Sequence, residues 1–494
     1  MTTYHEHVER LQGLLARDLP NLLEAEAYRN GTRRLKTIGI GAPPELAYLD
    51  VQPGWVATYL RTLSDRLDIE GFRISEDSEG LEELWNWWQA NDLDEESVLG
   101  HDDSLTFGRA YITVSHPDVE SGDPAGIPLI RVESPLYMYA ELDPRNTRRV
   151  TRAVRLYTTR DDVAVPDRAT LYLPDETVPL RRNGGLNDQW VVDGDVIKHG
   201  LGVVPVVPLT NDPRLGNRYG RSEISPELRK VTDAASRTLM NLQSASQILG
   251  TPLRVISGVT TDELTNDGEN TTLDIYYGRI LTLASEAAKI SEFKAAELRN
   301  FAEEMEVFRK EAASITGLPP QYLSSSSENP ASAEAIIATD SRIVKMAERK
   351  GRIFGGAWER AMRIAMQIMG REVTEEYTRL ETVWRDPSTP TVAAKADAVS
   401  KLYANGQGPI PKEQARIDLG YTATQREQMR DWDKQETEDM IDTLYSTTKA
   451  QADATPKPTV TETKTETQTS PSGFNRTKTE TQTSPSGFNR TKTR

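Results

Sequence analysis

The chain has 494 residues, with 59 Lys and Arg against 75 Asp and Glu, a formal net charge of -16 and no cysteine. That length accommodates several domains at about 100–200 residues each. The missing cysteines exclude a disulfide framework, a thiolate zinc site and a cysteine nucleophile. His5, His7, His101, His116 and His199 are the only histidines. Beyond the His5–His7 pair they are isolated, so we expect no His-rich metal site and no cofactor. No run approaches the roughly 18 apolar residues of a membrane span, and MTTYHEHVERLQ lacks a signal pattern. We expect a soluble chain with no membrane partner. The acidic excess also argues against tight gripping of nucleic acid, which needs clustered Lys and Arg to displace phosphate counterions.

In chain order, residues 3–29 read as helical, with Val8, Leu11 and Leu15 on one face, Pro20 as an interruption, and Leu22, Leu23 and Ala27 continuing. An amphipathic run with Val56, Tyr59, Leu60 and Leu63 predicts a helix ending near Gly71. In LEELWNWWQAN, Leu81, Leu84, Trp85 and Trp88 lie at helical spacing, a stripe better read as core or subunit interface than as a ligand platform. From Leu105 to Leu209 the period shortens into runs rich in Val, Ile, Tyr and Thr, predicting short antiparallel strands. Turn signals lie at 183–185 (NGG) and 193–194 (DG), and the prolines of GVVPVVPLTNDPRLG predict an edge or a linker.

Ser225-Pro226-Glu227 predicts a sharp helix start, with an N-cap Ser, Pro at the first helical position and an acid beside the positive dipole end. That helix runs to Leu249. Residues 251–290 read as a small α/β insert with an acidic turn, and a second helix covers about 292–316 before Gly317. The loop QYLSSSSENPAS follows. Asn329-Pro330 then opens a helix reaching Met369, for which Gly351, Gly355 and Gly356 predict a kink. Shorter helices are drawn at 391–404, 411–419 and about 424–445. TKTETQTSPSGFNR occurs at 463–476 and again at 477–490. This tail cannot bury enough apolar surface to offset chain entropy, and we expect it to be disordered. Residues 451–494 carry a net +3, against -19 for 1–450.

No phosphate loop, dinucleotide fingerprint, HExxH or GxSxG elbow is present. Acid pairs such as Asp102-Asp103 and Asp161-Asp162 read as solvated surface. The turn holding Asp262, Glu263, Asp267 and Glu269 resembles a calcium loop only in composition, without EF-hand spacing. We assign no catalytic residue, no metal and no enzymatic activity.

The order of four segments carries a resemblance: NDLDEESVLGHDDSLTFGRAYITV (91–114), GVVPVVPLTND followed by GRSEI (220–224), GLPPQYLSSSSENPASAEAI (317–336) and VWRDPSTPTVAAKADAVSKLYANG (383–406). In that order the chain resembles the portal proteins of tailed bacteriophages, particularly those with long non-contractile tails and of the kind found in phages of actinobacteria. The resemblance implies an α+β, mainly helical subunit of a homo-oligomeric ring of about twelve copies at the capsid portal vertex of the virion, assembled in the host cytoplasm. Double-stranded DNA would be packaged and ejected through it. The terminase large subunit, then a head-tail adaptor, would dock on it, with capsid and scaffolding proteins as further partners.

By position, the resemblance implies a wing (1–221), a first stem helix (222–250), a clip (251–291), a second stem helix (292–317), a tunnel loop (318–331), a kinked long helix returning to the wing (332–390), a helical crown (391–450) and the tail (451–494). Tyr322, Ser324, Ser325, Ser326, Ser327, Glu328 and Asn329 would face DNA, with Tyr322 to Ser327 as the narrowest ring. Arg229, Lys230, Asp233 and Arg237 would be stem-lining candidates, though Arg229, Lys230 and Arg237 read equally as paired with Asp233 or solvated. Asp262, Glu263, Asp267 and Glu269 would be clip contacts. An acidic protein with a serine-lined loop suits a pore that must touch DNA without holding it. Two other readings stay open at this stage: a capsid or tail component, and a carboxylate-based hydrolase.

Overall fold

The computed structural model describes residues 3–34, 51–74, 81–159, 165–183, 185, 188–249, 254–257, 289–292, 298–323, 333–388, 392–421 and 423–453. It is α+β and mainly helical, and it divides into two compact units, Met1–Ser400 and Lys401–Arg494.

Helix α1, Tyr4–Arg29, opens on a capping box in which the Glu6 amide donates to Thr3 and the Thr3 amide donates back to Glu6. The interruption expected at Pro20 does not occur. Pro20 faces solvent while Leu11, Leu15, Leu22 and Ala25 bury an unbroken stripe, so packing outweighs the roughly 3 kcal/mol cost of an interior proline. Helix α2, Trp55–Ser64, also departs from expectation by stopping well before Gly71. Gly71 lies inside strand β1, Ile69–Arg73, at a register irregularity where β1 pairs antiparallel with the distant β13, Glu381–Trp384. Helices α3, Glu82–Ala90, and α4, Leu93–Phe107, follow. The tryptophan stripe is core: Trp88 meets Phe72 and Trp358 edge to face at 5.7 and 4.9 Å, and Trp87 is buried beside it.

Two antiparallel sheets come next. One has the order β10–β2–β3, from Val206–Thr210, Arg109–Ser115 and Leu129–Glu133. The other runs β4–β5–β6–β7, from Met138–Leu142, Val150–Tyr157, Arg168–Tyr172 and Glu176–Arg181, with β8, Val191–Val192, and β9, Ile197–Lys198, both paired to β7. The expected strands are thus present, and GVVPVVPLT forms an edge as predicted, with Pro208 on the outer strand. The DG signal at 193–194 is not a hairpin. Gly194, at φ +97°, breaks one edge line into β8 and β9, which lie end to end along β7.

Alternation explains the layering. Val8, Leu11 and Leu15 of α1 cover one face of the larger sheet through Tyr139, Val154 and Leu171. Its other face, through Met138, Ala140 and Ala153, packs on Tyr111 and Val206 of the smaller sheet. The next residues, Ile112 and Val207, point to the helical core. β2 is therefore covered on both faces and reads as a continuous apolar run instead of an alternating one.

Helix α5, Pro226–Leu249, matches its expected bounds. The ribbon β11, Arg254–Ser257, with β12, Lys289–Glu292, pairs antiparallel, so helix α6, Arg299–Thr316, starts later than expected because residues 289–292 are strand. Helix α7, Ala333–Ile368, runs without interruption where a kink was predicted. Its glycines serve a close approach instead. A Cβ on Gly351 would lie 3.3 Å from the Trp384 ring, and one on Gly355 would lie 3.1 Å from Trp384 Nε1. Strand β13 lies against α7 at these positions. Inside the same core, His101 of α4 stacks on Phe354 at 5.1 Å and accepts a 3.0 Å bond from Trp358 Nε1. Burial pushes its pKa down to about 3, leaving a neutral ring.

The end of the chain forms α8, Val392–Tyr403, α9, Lys412–Leu419, and α10, Ala423–Asp453. Helix α10 outruns its predicted end and takes in residues 451–453, which were expected to belong to the tail; no Gly or Pro intervenes before Pro456. The repeats lie outside the described residues.

Candidate functional site

The centre of the described structure is the entry to α5. Gly108, at φ +92°, and Gly220, at φ +83°, bring two backbone segments together so closely that a Cβ on Gly220 would sit 2.0 Å from the Gly108 carbonyl oxygen. No side chain fits there. Asn211 stitches the contact: its amide donates to Gly108 O and its carbonyl accepts from Arg221 N, both at 2.8 Å. Its side chain donates to Arg221 O at 2.7 Å, and Ser222 Oγ donates to Thr106 O at 2.6 Å. The glycines of the FGRAY and GRSEI motifs, separate in sequence, therefore form one joint.

Glu223 sits in that joint. It accepts from Tyr59 OH at 2.7 Å and Asn211 Nδ2 at 2.9 Å, and it pairs with Lys350 of α7. Burial raises the Glu223 carboxyl, but Lys350, Asn211 and Tyr59 outweigh that and hold it below the usual carboxylate range. Asp212 beside it pairs with Arg221 and, at 3.0 Å, with Arg349; burial raises it, and the three cations Arg221, Lys350 and Arg349 bring it below its ordinary value. Two residues on, Ser225 Oγ accepts from Leu228 N at 3.2 Å and caps α5. This joint fixes the start of α5 to α2, the small sheet and α7. Sequence reading missed Lys350 and Asp212 entirely; the only signal for Glu223 was its place in GRSEI.

The four stem-lining candidates separate into two pairs. Arg229 Nη1 binds Glu24 at 2.9 Å and lies over the Tyr28 ring at 5.3 Å. Asp233 accepts from Tyr28 OH at 2.9 Å. Both therefore face α1, and the expected pairing within α5 is replaced by pairing across helices. Lys230 and Arg237, at i and i+7, share an exposed face. Helix α6 packs along α5 through its C-terminal Ala312, Ala313 and Thr316. Its outer turns expose Glu303, Glu304, Val307, Lys310 and Glu311.

Of the loop candidates, Tyr322 is described and Ser324, Ser325, Ser326, Ser327, Glu328 and Asn329 lie outside the described residues. Tyr322, in the turn Pro320–Leu323, donates to Asp340 Oδ2 at 3.0 Å, and Arg66 approaches the same carboxylate at 3.5 Å. Burial and Asp340 both raise the Tyr322 hydroxyl. Arg342 of α7 donates to Ser314 O at 3.2 Å and packs over Gly317, at φ +73°. The two ends of the serine loop are thus clamped together by Asp340, Arg342 and Arg66, none of which the sequence marked. Of the clip, only the β11–β12 ribbon is described; Asp262, Glu263, Asp267 and Glu269 lie outside the described residues. Among the described residues no group of His, Asp or Glu could hold a metal ion, and no helix is long and apolar enough to cross a membrane.

Comparison with known proteins matches this geometry to a family. The family described as phage portal protein, SPP1 Gp6-like, matches residues 15–442. The portal protein of Mycobacterium phage L5 is 48% identical over 421 residues, covering 84% of this chain and 85% of that protein. The portal protein of Mycobacterium phage D29 is also 48% identical over 421 residues, covering 84% and 86%. Among solved structures, the neck of a native GTA particle computed with C12 symmetry covers 77% of this chain and 96% of its own, at 14% identity and a TM-score of 0.37. A native gene transfer agent virion covers 81% and 99%, at 13% identity and a TM-score of 0.37. The sequence matches span nearly the whole described chain, from α1 into α10, and this chain belongs to the phage portal protein family.

Proposed function

We propose that this chain is the subunit of a phage portal: a structural component of the virion that assembles with copies of itself into a ring, through which double-stranded DNA enters and leaves the capsid. The observation that carries this reading is the 48% identity over 84% of the chain to two proteins named as portals. The helix–ribbon–helix of α5, β11–β12 and α6 supports it. The chain leaves along α5, turns at the ribbon and returns along α6, as a stem with a clip at its tip would require.

In this reading residues 1–221 and 332–390 form the wing, 222–250 and 292–317 the stem, 251–291 the clip, 318–331 the tunnel loop and 391–450 the crown. Lys230 and Arg237 are then the better bore candidates, because Arg229 and Asp233 are spent on α1. Two isolated cations per subunit offer DNA exchangeable contacts instead of a continuous basic lining. The clip turn with Asp262, Glu263, Asp267 and Glu269 meets the terminase large subunit and later a head-tail adaptor. The clamp of Tyr322, Asp340 and Arg342 holds the base of the tunnel loop, so the serines between can move without unfolding their flanks.

Negative-stain images of the purified chain test the ring, with a central hole as the expected result and single-copy particles at every concentration as the refuting one. Deleting residues 324–327 tests the loop. Rings of normal appearance with impaired DNA packaging are expected, and unaltered packaging would remove the assignment.

A further inference from the structure

We infer that the apolar side chains of α10 beyond its junction with α9 pack against the α8–α9 face of a second copy of this chain, making a head-to-tail seam between neighbouring subunits. The inference rests on the portal reading above and names a surface which that reading leaves open.

Residues 401–453 have almost no core of their own. Ala415 is the single buried side chain among those whose burial is described. Ion pairs hold α9 to α10 instead: Lys412 to Asp433 at 2.6 Å, Arg416 to Asp433 at 2.8 Å, and Arg426 and Arg430 to Glu413 at 3.2 Å each. On α10 all of these lie at or before Asp433. Beyond it the side-chain bonds of Lys434, Thr437 and Ser446 stay within the helix. Met440 and Ile441 are 65% and 46% exposed, and they lie about 10–12 Å along the axis past Asp433, outside the reach of α9. Trp432, 58% exposed, stands on the same i+4 row as Met440. A helix with no covered apolar face is marginal in water.

The same unit exposes a second apolar patch, formed by Leu402, Ile417 and Tyr421 of α8, α9 and the turn after it. A closed ring of identical subunits requires two different, complementary surfaces on each copy. The two patches meet that requirement, whereas a single patch would pair only with itself. The outer part of α10, from Lys434 to Asp453, is about 30 Å long and about 10 Å wide. One face offers roughly 300 Å², below the about 800 Å² per partner of a stable interface. The seam therefore reinforces ring contacts made elsewhere and does not create them alone.

The absence of cysteine makes the test direct. Full-length chain carrying Ile417→Cys with Met440→Cys, mildly oxidised, is expected to give a ladder of covalent multimers on a non-reducing gel, while each single-cysteine variant stays monomeric. In parallel, Met440→Glu with Ile441→Glu is expected to raise the concentration needed for assembly at least tenfold by sedimentation, with helix content unchanged by circular dichroism and assembly restored by Met440→Leu with Ile441→Val. A ladder or a shifted assembly supports the seam. Wild-type rings with neither result overturn it and leave the ring standing. A disulfide closed within one chain, or efficient dimers of Met440→Cys alone, overturns the head-to-tail geometry. A wild-type chain that never assembles overturns the ring, and the seam with it.

Discussion

Lys350→Met is the sharpest probe of the joint at the entry to α5. The Lys350 and Glu223 side chains are 7% and 13% exposed, so removing the cation strands a carboxylate in a poorly solvated place. Breaking one partner of a buried pair typically costs about 3–5 kcal/mol. Tyr59 and Asn211 still donate to Glu223, which places the expected loss near the lower end, about 3 kcal/mol. Lys350→Met with Glu223→Gln removes the stranded charge and should recover at least about half of that. The pH dependence fixes the sign. In the wild type the Glu223 carboxyl is depressed, so its contribution is present above the ordinary Glu pKa and is lost as pH falls through the folded value. Without Lys350 the remaining burial raises it, so the variant's deficit should shrink as pH falls from neutral toward the ordinary Glu range. Urea unfolding of the full chain at one protein concentration measures both effects. A loss below about 1 kcal/mol, or a double variant no better than the single, would refute the joint as an electrostatic lock.

Two further perturbations separate packing from chemistry. His101 has a folded pKa of about 3 against an unfolded value near 6.5, so the unfolded chain binds more protons between them and stability falls as pH drops through that window. Between pH 7 and pH 5 this group should account for about 2 kcal/mol, and urea titrations of His101→Phe should lack that part of the slope; an unchanged slope would assign it elsewhere. Gly351→Ala distinguishes a kink glycine from a contact glycine by sign. With the Trp384 ring 3.3 Å from the new Cβ, we expect about 1–3 kcal/mol of destabilisation in thermal or urea unfolding, whereas a helix freed of a needless glycine would gain about 0.5–1 kcal/mol.

Much of the local architecture was legible from residue pattern alone. The capping box at Thr3, the Ser225-Pro226 start, the Gly317 and Gly420 stops and the edge character of Val206–Thr210 are each set by one or two side chains within a turn of the backbone they satisfy. Such chemistry is local, and its sequence spacing is its spatial spacing. The four ordered segments that resembled portal proteins lie within the matched span for the same reason: short motifs survive as strings.

What only the tertiary structure decided depended on partners distant in the chain. Pro20 fails to break α1 and Gly351 fails to bend α7, because packing against residues far away outweighs intrinsic propensity. Gly71 joins a strand instead of ending a helix because its partner lies some three hundred residues on, at Val383. The division of the stem candidates into Arg229 and Asp233 facing α1, and Lys230 and Arg237 facing solvent, follows from which side of α5 the first helix covers. Glu223 and Lys350 stand 127 residues apart and meet only when α7 crosses the entry to α5. A single sequence records which side chains carry charge, but burial, and with it the strength of each charge, exists only once the layers have closed.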